Sequence, residues 1–427
     1  MRVMKWSMIA LAVSASTSQF AMASSQEESK GFFEDQSLNV LSRMLYMNRD
    51  FKNETDQSYR EEAGLGVRAI YESGFTQGTV GVGVDAFALG SARFDGGSGR
   101  AGNGLFAADS DGDLEKTQSK AGGAVKFRLS DTVLKYGNQF TSSPVFSTDD
   151  SRLLPEVATG TLITSNEIKG LELSAGRFTS LSNQTGMGRD SINGRDGVTG
   201  IRNPGLTSAN IAGATYQFTD NFVAGVAASD VEDYFKKKYI NLNYTLPINE
   251  DQSLNFDFNG YDSKSQGQER GGDVDNRIWS LAAAYSIGAH KFTVAHQRST
   301  GDTGYVYGVD GGGTIFLSNS VQYSDFEKQD ERSWQARYDL NMKTYGVPGL
   351  SFMTRYITGD NIEGIGGEEG KEHEWDFETK YVMQSGPAKD LSFRIRSAFY
   401  RSNDAVDPSR NDNNDFRFIV EYPLSIL

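Results

Sequence analysis

From residue 37 to the C-terminal Leu427, apolar and polar residues alternate in run after run of about ten. The segment 391–400 is representative. Leu391, Phe393, Ile395 and Phe399 share one face, and Ser392, Arg394, Arg396, Ala398 and Tyr400 share the other. Side chains of a strand point alternately to its two sides, so this segment is apolar on one side and basic on the other. A soluble sheet would turn the apolar side to a core. So many runs of this kind predict the reverse, with apolar faces toward lipid and arginines toward a water-filled lumen.

The N-terminus fits that destination. Arg2 and Lys5 precede a short apolar stretch beginning Met8-Ile9-Ala10-Leu11-Ala12-Val13, and Ala21-Met22-Ala23 fits a small-residue cleavage site. Residues 1–23 are therefore expected to be a cleaved signal peptide, and 24–427 a single barrel domain in the bacterial outer membrane. A transmembrane anchor is the alternative, but Ser14, Ser16, Thr17, Ser18 and Gln19 leave the stretch too short and too polar for it. No other segment approaches about 18 consecutive apolar residues, which excludes spanning helices.

Composition agrees. Only 37% of residues are hydrophobic, yet there are 26 Phe and 19 Tyr, as expected when half of each strand faces water and aromatic girdles mark two interfaces. The absence of cysteine excludes disulfides, thiolate metal sites and a cysteine nucleophile. The net charge of -14 gathers in Gly-rich connections, around Asp111 and Asp113 and around Glu368, Glu369, Glu372 and Glu374. These read as solubilising loop charges, with divalent-cation bridging to lipopolysaccharide as the alternative. The acidic run 109–113 lacks the closing glutamate of a calcium loop, so no metal or cofactor is expected.

Counting the runs gives about eighteen strands, as in an aqueous-lumen barrel. They fall at 37–49, 59–71, 78–89, 117–129, 131–140, 209–218, 221–229, 238–246, 253–261, 275–287, 290–298, 331–342, 349–358, 373–384, 389–401 and 414–426, with a weaker pair at 160–168 and 170–178. Short connections such as Ser130-Asp131, Lys169-Gly170 and Gly288-Ala289 alternate with long ones at 90–116, 141–159, 179–208, 262–274, 299–330, 359–372 and 402–413. That alternation matches short periplasmic turns and long outer loops, and an even count returns both ends to the periplasm. The first strand follows the expected cleavage site within about fifteen residues, so a plugged transporter is not expected.

Parity assigns the faces. Ala63, Leu65, Val67, Ala69 and Tyr71 point to lipid while Glu62, Gly64, Gly66 and Arg68 point inward. Trp334, Ala336, Tyr338 and Leu340 oppose Gln335, Arg337, Asp339 and Asn341 in the same way. The inward bases then form a set: Arg43, Arg68, Lys126, Arg128, Lys135, Arg337, Arg355, Arg394 and Arg396. Each either pairs with an acid such as Asp85, Asp339, Asp376 or Glu378 and stiffens the wall, or belongs to a track that guides anions. Strict parity sends Arg177 outward, unless a bulge at Gly176 re-aims it or it lies at the rim.

A lumen this wide needs a constriction. The loop 141–159 is the candidate, because Ser142-Ser143-Pro144-Val145-Phe146 and Ser151-Arg152-Leu153-Leu154-Pro155 are too apolar for a solvated loop. Folding inward would place Arg152 and the serine hydroxyls at the narrowing; packing on neighbouring outer loops is the alternative. Enzymatic readings find no support: His290, His296 and His373 have no serine–acid constellation, and Gly311-Gly312-Gly313 lacks the strand-to-helix setting of a phosphate loop. Lys236-Lys237-Lys238, at an upper strand end, suits lipopolysaccharide phosphates better than nucleic acid.

The chain resembles the OprD-type specific porins, the outer-membrane carboxylate channels of pseudomonads and relatives. The resemblance rests on Gly31-Phe32-Phe33-Glu34-Asp35, on the two loop motifs just quoted, on Gly349-Leu350-Ser351-Phe352-Met353-Thr354-Arg355-Tyr356 and on the ending Glu421-Tyr422-Pro423-Leu424-Ser425-Ile426-Leu427. It implies an 18-stranded barrel, a monomer or weak oligomer, with a loop-formed constriction. It also implies a ladder of cations for carboxylate-bearing solutes, including Arg152, Arg177, Arg337, Arg355 and Arg396. Leu-Leu-Pro in the loop and Gly176-Arg177-Phe178-Thr179 look more like the branch that favours cyclic or aromatic carboxylates than the basic-amino-acid branch. A structural or adhesive barrel acting through its outer loops is the rival expectation.

Overall fold

The computed structural model describes residues 24–52, 57–97, 99–108, 111–188, 205–406 and 412–427. The leader expected over 1–23, and Asp109 of the acidic run, lie outside the described residues.

Eighteen antiparallel strands form one sheet that closes on itself. In chain order the elements are β1 (Ser37–Phe51), β2 (Tyr59–Glu72), β3 (Val80–Asp95), β4 (Thr117–Leu129), β5 (Thr132–Gln139), a small separate hairpin of β6 (Ser142–Ser143) and β7 (Phe146–Ser147), then β8 (Val157–Ile168), β9 (Leu171–Ser182), β10 (Ala209–Thr219), β11 (Phe222–Val231), β12 (Phe235–Asn249), β13 (Gln252–Ser265), β14 (Asp275–Ile287), β15 (His290–Thr300), β16 (Arg332–Asn341), β17 (Leu350–Glu363), β18 (Glu369–Val382), β19 (Ser392–Ser402) and β20 (Asn413–Ser425). Each barrel strand pairs with its neighbours in sequence, and β1 pairs with β20 from Asn39↔Ser425 to Phe51↔Asn413. That seam leaves no edge, which a sheet in hydrocarbon requires, since an unpaired N–H or C=O there has no water to turn to.

All eighteen expected strands are present, the weak pair included. Several run further than the alternation reaches: the strand expected at 78–89 continues to Asp95, where Gly90-Ser91-Ala92-Arg93 blurs the pattern above the apolar band. The one expected at 331–342 stops at Asn341, whose side chain caps a short 3-10 turn, Met342–Tyr345. Loop lengths are less regular than anticipated. The connection 232–234 sits at the long-loop end yet is only a tight turn, made possible by Asp233 at φ 65°, and 383–391 is long for the opposite end.

The faces follow parity. Val125, Phe127, Leu129, Ile240, Leu242, Phe292, Val294, Phe393, Ile395 and Phe399 are exposed outward. Aromatic contacts band both ends of this surface. His290 stacks near Phe292 and Tyr338 at the turn end, and His296 stacks on Trp334 at 4.3 Å toward the loop end.

The apolar packing that a soluble protein keeps between layers lies instead inside the lumen, against loops. One cluster joins Leu105, Phe106 and Leu114 of the loop 96–116, and Leu153 and Leu154 of the loop 140–156, to Leu45, Met47, Phe87 and Leu89 on the wall. The other joins Val145, Tyr305, Ile315 and Leu317 to Phe178, Tyr239, Tyr261 and Ile278.

An arginine on the lipid face near mid-strand costs about 2–4 kcal/mol. Ile395→Arg should therefore lower stability by about that amount in urea titrations of protein folded into vesicles. A loss below about 1 kcal/mol would contradict the assignment of that face.

Candidate functional site: a loop crossbar and a basic wall

The loop 140–156 enters the lumen, as its apolar residues required. Leu153 and Leu154 are fully buried, with 0% and 1% exposure, and Phe146 stacks on Phe178 at 4.7 Å. Ser142 and Ser143 pair with Ser147 and Phe146 in the β6–β7 hairpin, and the Pro144 carbonyl accepts from the Tyr261 hydroxyl at 3.2 Å. Leu153 is thus packing, not lining. Glycine at position 66 is what allows the close fit: a Cβ there would lie 2.5 Å from the Leu153 carbonyl oxygen.

Two cations of the wall hold this loop. Arg43 donates to the carbonyls of Asp150 (2.8 Å) and Arg152 (2.6 Å) and pairs with Glu421 at 2.6 Å. Arg68 pairs with Asp150 at 2.5 Å and donates to the Leu153 carbonyl at 3.3 Å. Arg152 itself turns away, its Nε donating to the Asn103 carbonyl at 2.9 Å and its NH1 to the Ser151 hydroxyl at 2.9 Å. Burial, reinforced by nearby Arg417 and Arg49, pushes the Arg152 pKa down to about 10, so it stays charged at neutral pH.

A second inward loop went unnoticed in the sequence. The segment 301–331 crosses the lumen and joins the first loop to the far wall. Glu156 accepts from the backbone N–H groups of Asp149 (2.8 Å), Gly312 (3.0 Å) and Gly313 (3.2 Å). Burial lifts the Glu156 carboxyl above its usual range while those donors oppose the shift. On the other side Glu374 accepts from the N–H groups of Tyr323 and Ser324, Lys328 pairs with Glu372 at 2.5 Å, and Gln322 donates to Asp415. The signal was available: Tyr305-Val306-Tyr307 and Ile315-Phe316-Leu317 are as apolar as the motifs in the first loop. Lys237 also belongs here. It is buried inside, donating to the Tyr305 hydroxyl (3.0 Å) and the Val306 carbonyl (2.7 Å), so the expectation that it faces lipid with Lys236 and Lys238 is corrected. Lys120, another buried inward base, donates to the carbonyls of Pro155 and Asn183.

The remaining expected bases sort by position. Arg337, Arg355, Arg394 and Arg396 lie together on β16, β17 and β19, joined by two residues the sequence reading passed over, Arg417 and Arg49, which share Asp415 at 2.7 Å each. Arg337 pairs with Asp339 at 2.6 Å and Arg355 with Asp376 at 2.7 Å. Glu378 faces two guanidinium groups, with the Nε of Arg396 at 3.3 Å and that of Arg394 at 3.8 Å, and neither Nε makes a hydrogen bond. Lys126 and Lys135 stand apart on β4 and β5 and share Asp85 at 2.6 and 2.5 Å. Arg128 donates to Gln26 and lies over the Phe75 ring at the turn end.

Arg177 does not join them. The extra residue in β9 is Thr179, beyond Arg177, because Thr159 pairs with Ser180 and Gly160 with Phe178. Parity is unbroken up to that point, so Phe178 enters the lumen and Arg177 stays outside, exposed and bonded to Asn210 at 3.1 Å. The histidines likewise face outward: His290 meets the hydroxyls of Tyr338 and Tyr345, and His296 the Ser333 carbonyl.

Glu156→Ala removes the acceptor that ties the two inward loops, a set of charged hydrogen bonds worth about 1.5–3 kcal/mol each before compensation. Single-channel recordings should show higher conductance and more open-channel noise than wild type. Traces identical to wild type would mean that the loops hold together without it.

With this geometry in view, comparison with known proteins is informative. The family described as "outer membrane porin, OprD family" matches residues 30–426. Porin D of Pseudomonas aeruginosa is 48% identical, with all of each chain covered. The crystal structure of Pseudomonas aeruginosa OprD superposes with a TM-score of 0.80 at 45% identity, covering 96% of this chain and 100% of that one. The crystal structure of Pseudomonas aeruginosa OpdK with vanillate gives a TM-score of 0.84 at 32% identity, covering 92% and 100%. The chain therefore belongs to the OprD family of outer-membrane porins.

Proposed function

We propose that this porin passes small carboxylate-bearing solutes, aromatic or cyclic ones foremost, by passive diffusion along the basic wall of β16–β20 and β1–β2. The observation that carries the proposal is the pair Arg394 and Arg396 facing the single carboxylate of Glu378. Their side chains are 29% and 21% exposed and share that one carboxylate, so a passing solute meets two guanidinium groups balanced by a single negative charge. Arg337, 34% exposed, offers a third reachable cation, while Arg355 at 8% is a brace held by Asp376. Lys380, inward on β18 next to Arg394, makes no ion pair among the described residues. Arg43, Arg68 and Arg152 serve by holding the crossbar that narrows the passage.

The energetics suit passage over capture. A carboxylate about 6 Å from one cation gains about 0.7–3 kcal/mol for effective dielectric constants from about 80 to 20. Several such steps in sequence favour anions over cations without trapping them. The preference for a ring draws on OpdK, whose structure was determined with vanillate, an aromatic carboxylate. The inward-folded loops and the family both weigh against a barrel whose role is adhesion through those loops.

Reversal potentials across planar bilayers in a salt gradient test this reading. Wild type should be anion-selective, its current reduced by added benzoate. Arg396→Ala and Arg337→Ala should each lower the anion-to-cation permeability ratio by about threefold or more. Cation selectivity, unchanged in both variants, would overturn it.

A further inference from the structure

The outward position of Arg177 leads to a feature of the barrel's exterior. Along the hydrogen-bonded register it lies in one row with Asn210, Asp230, Lys236, Lys264 and Asp275, running from β9 to β14. A second row, two residues further from the loop end, holds Lys238, Asp262 and Arg277 on β12–β14. A third, two residues further again, holds Trp279, Arg298, Arg332 and Asp360 on β14–β17. Tilted strands make a register row climb obliquely around a barrel, so rows that step down in this way trace one level of the membrane. Immediately on the lipid side of them lie Ile240 and Leu242, then Phe258, Leu281 and Trp334, all facing out.

We propose that this three-row belt between β9 and β17 seats the phosphate groups of a phosphorylated glycolipid, lipopolysaccharide, in the outer leaflet. Outward cations are strongly disfavoured in hydrocarbon, so the belt marks headgroup level. Seven cations stand there against four carboxylates, so the belt carries excess positive charge. Their internal pairs are all exposed, and four of the five are long: Lys236–Asp230 at 3.3 Å, Lys238–Asp262 at 3.8 Å, Lys264–Asp275 at 3.6 Å and Arg277–Asp262 at 3.3 Å, against Arg332–Asp360 at 3.0 Å. Pairs of this kind contribute little and exchange readily for a better anion. Arg298 forms no ion pair among the described residues and stands exposed above the His296–Trp334 stack. A guanidinium presents a fork suited to phosphate oxygens, and acyl chains of the same molecule would lie on the aromatic and aliphatic surface below. Two copies of the belt would repel, which argues against self-association through it.

Titration of the purified protein in detergent with lipopolysaccharide, followed by native mass spectrometry, tests the assignment. The variant Lys236→Gln/Lys238→Gln/Arg298→Gln should bind the glycolipid about tenfold or more weakly than wild type. Its conductance and ion selectivity should match wild type, since none of the three side chains enters the lumen; altered conductance with full glycolipid binding would overturn the assignment. Enzymatically dephosphorylated glycolipid should bind wild type no better than the intact molecule binds the variant. Equal binding of intact glycolipid by variant and wild type, or of intact and dephosphorylated glycolipid by wild type, would overturn the proposal. So would displacement of the glycolipid by inorganic phosphate, which would make the belt a simple anion site. A wild-type oligomer that the three substitutions dissociate in sedimentation experiments would give the belt to a second copy of the chain, and would overturn it as well.

Discussion

Everything in this molecule descends from one requirement: a backbone crossing hydrocarbon must satisfy its own hydrogen bonds. The β1–β20 seam meets it by closing the sheet. Closure gives every strand an inside and an outside for its whole length, and the two-residue period of a strand then sorts side chains without further instruction. Phe393 and Ile395 go to lipid because Arg394 and Arg396 cannot.

The same closure creates a difficulty that the loops resolve. A wall of eighteen strands encloses more space than its own side chains fill. The loops 96–116, 140–156 and 301–331 fold into that space, and both extensive apolar clusters among the described residues form around them. They are fastened to the wall mainly by charge: Arg43 and Arg68 on one side, Glu374, Glu372 and Asp415 on the other, with Glu156 between the loops. Lumen charges thus divide into two kinds. Well-paired, buried ones such as Arg355–Asp376 act as braces, because removing either partner would strand a charge. Others, such as Arg394 and Arg396, are part-exposed and share a single carboxylate, that of Glu378.

Most of the fold was legible in the sequence, because alternation and turn chemistry are local. All eighteen strands, the faces of β2, β4, β16 and β19, and the inward fate of Val145, Leu153 and Leu154 follow from residues a few positions apart. The site was legible only as a population of inward bases. Which acid each base meets depends on strand register and on loops far away in sequence: Arg43 finds Glu421, Lys237 finds Tyr305, and Asp415 collects Arg49 and Arg417. Arg177 shows the difference sharply. Parity placed it outside, resemblance placed it in the passage, and a bulge one step too late to turn it left parity correct.

The sequence by itself determined a closed membrane barrel with its charged strand residues turned inward, since a strand's period of two and the cost of charge in lipid act residue by residue. Only the tertiary structure decided which cations are buried braces and which stay part-exposed, and that a second loop completes the crossbar. Those outcomes rest on pairings between segments hundreds of residues apart, such as Arg43 with Glu421 and Glu156 with Gly312, whose geometry exists only once the barrel has closed around its loops.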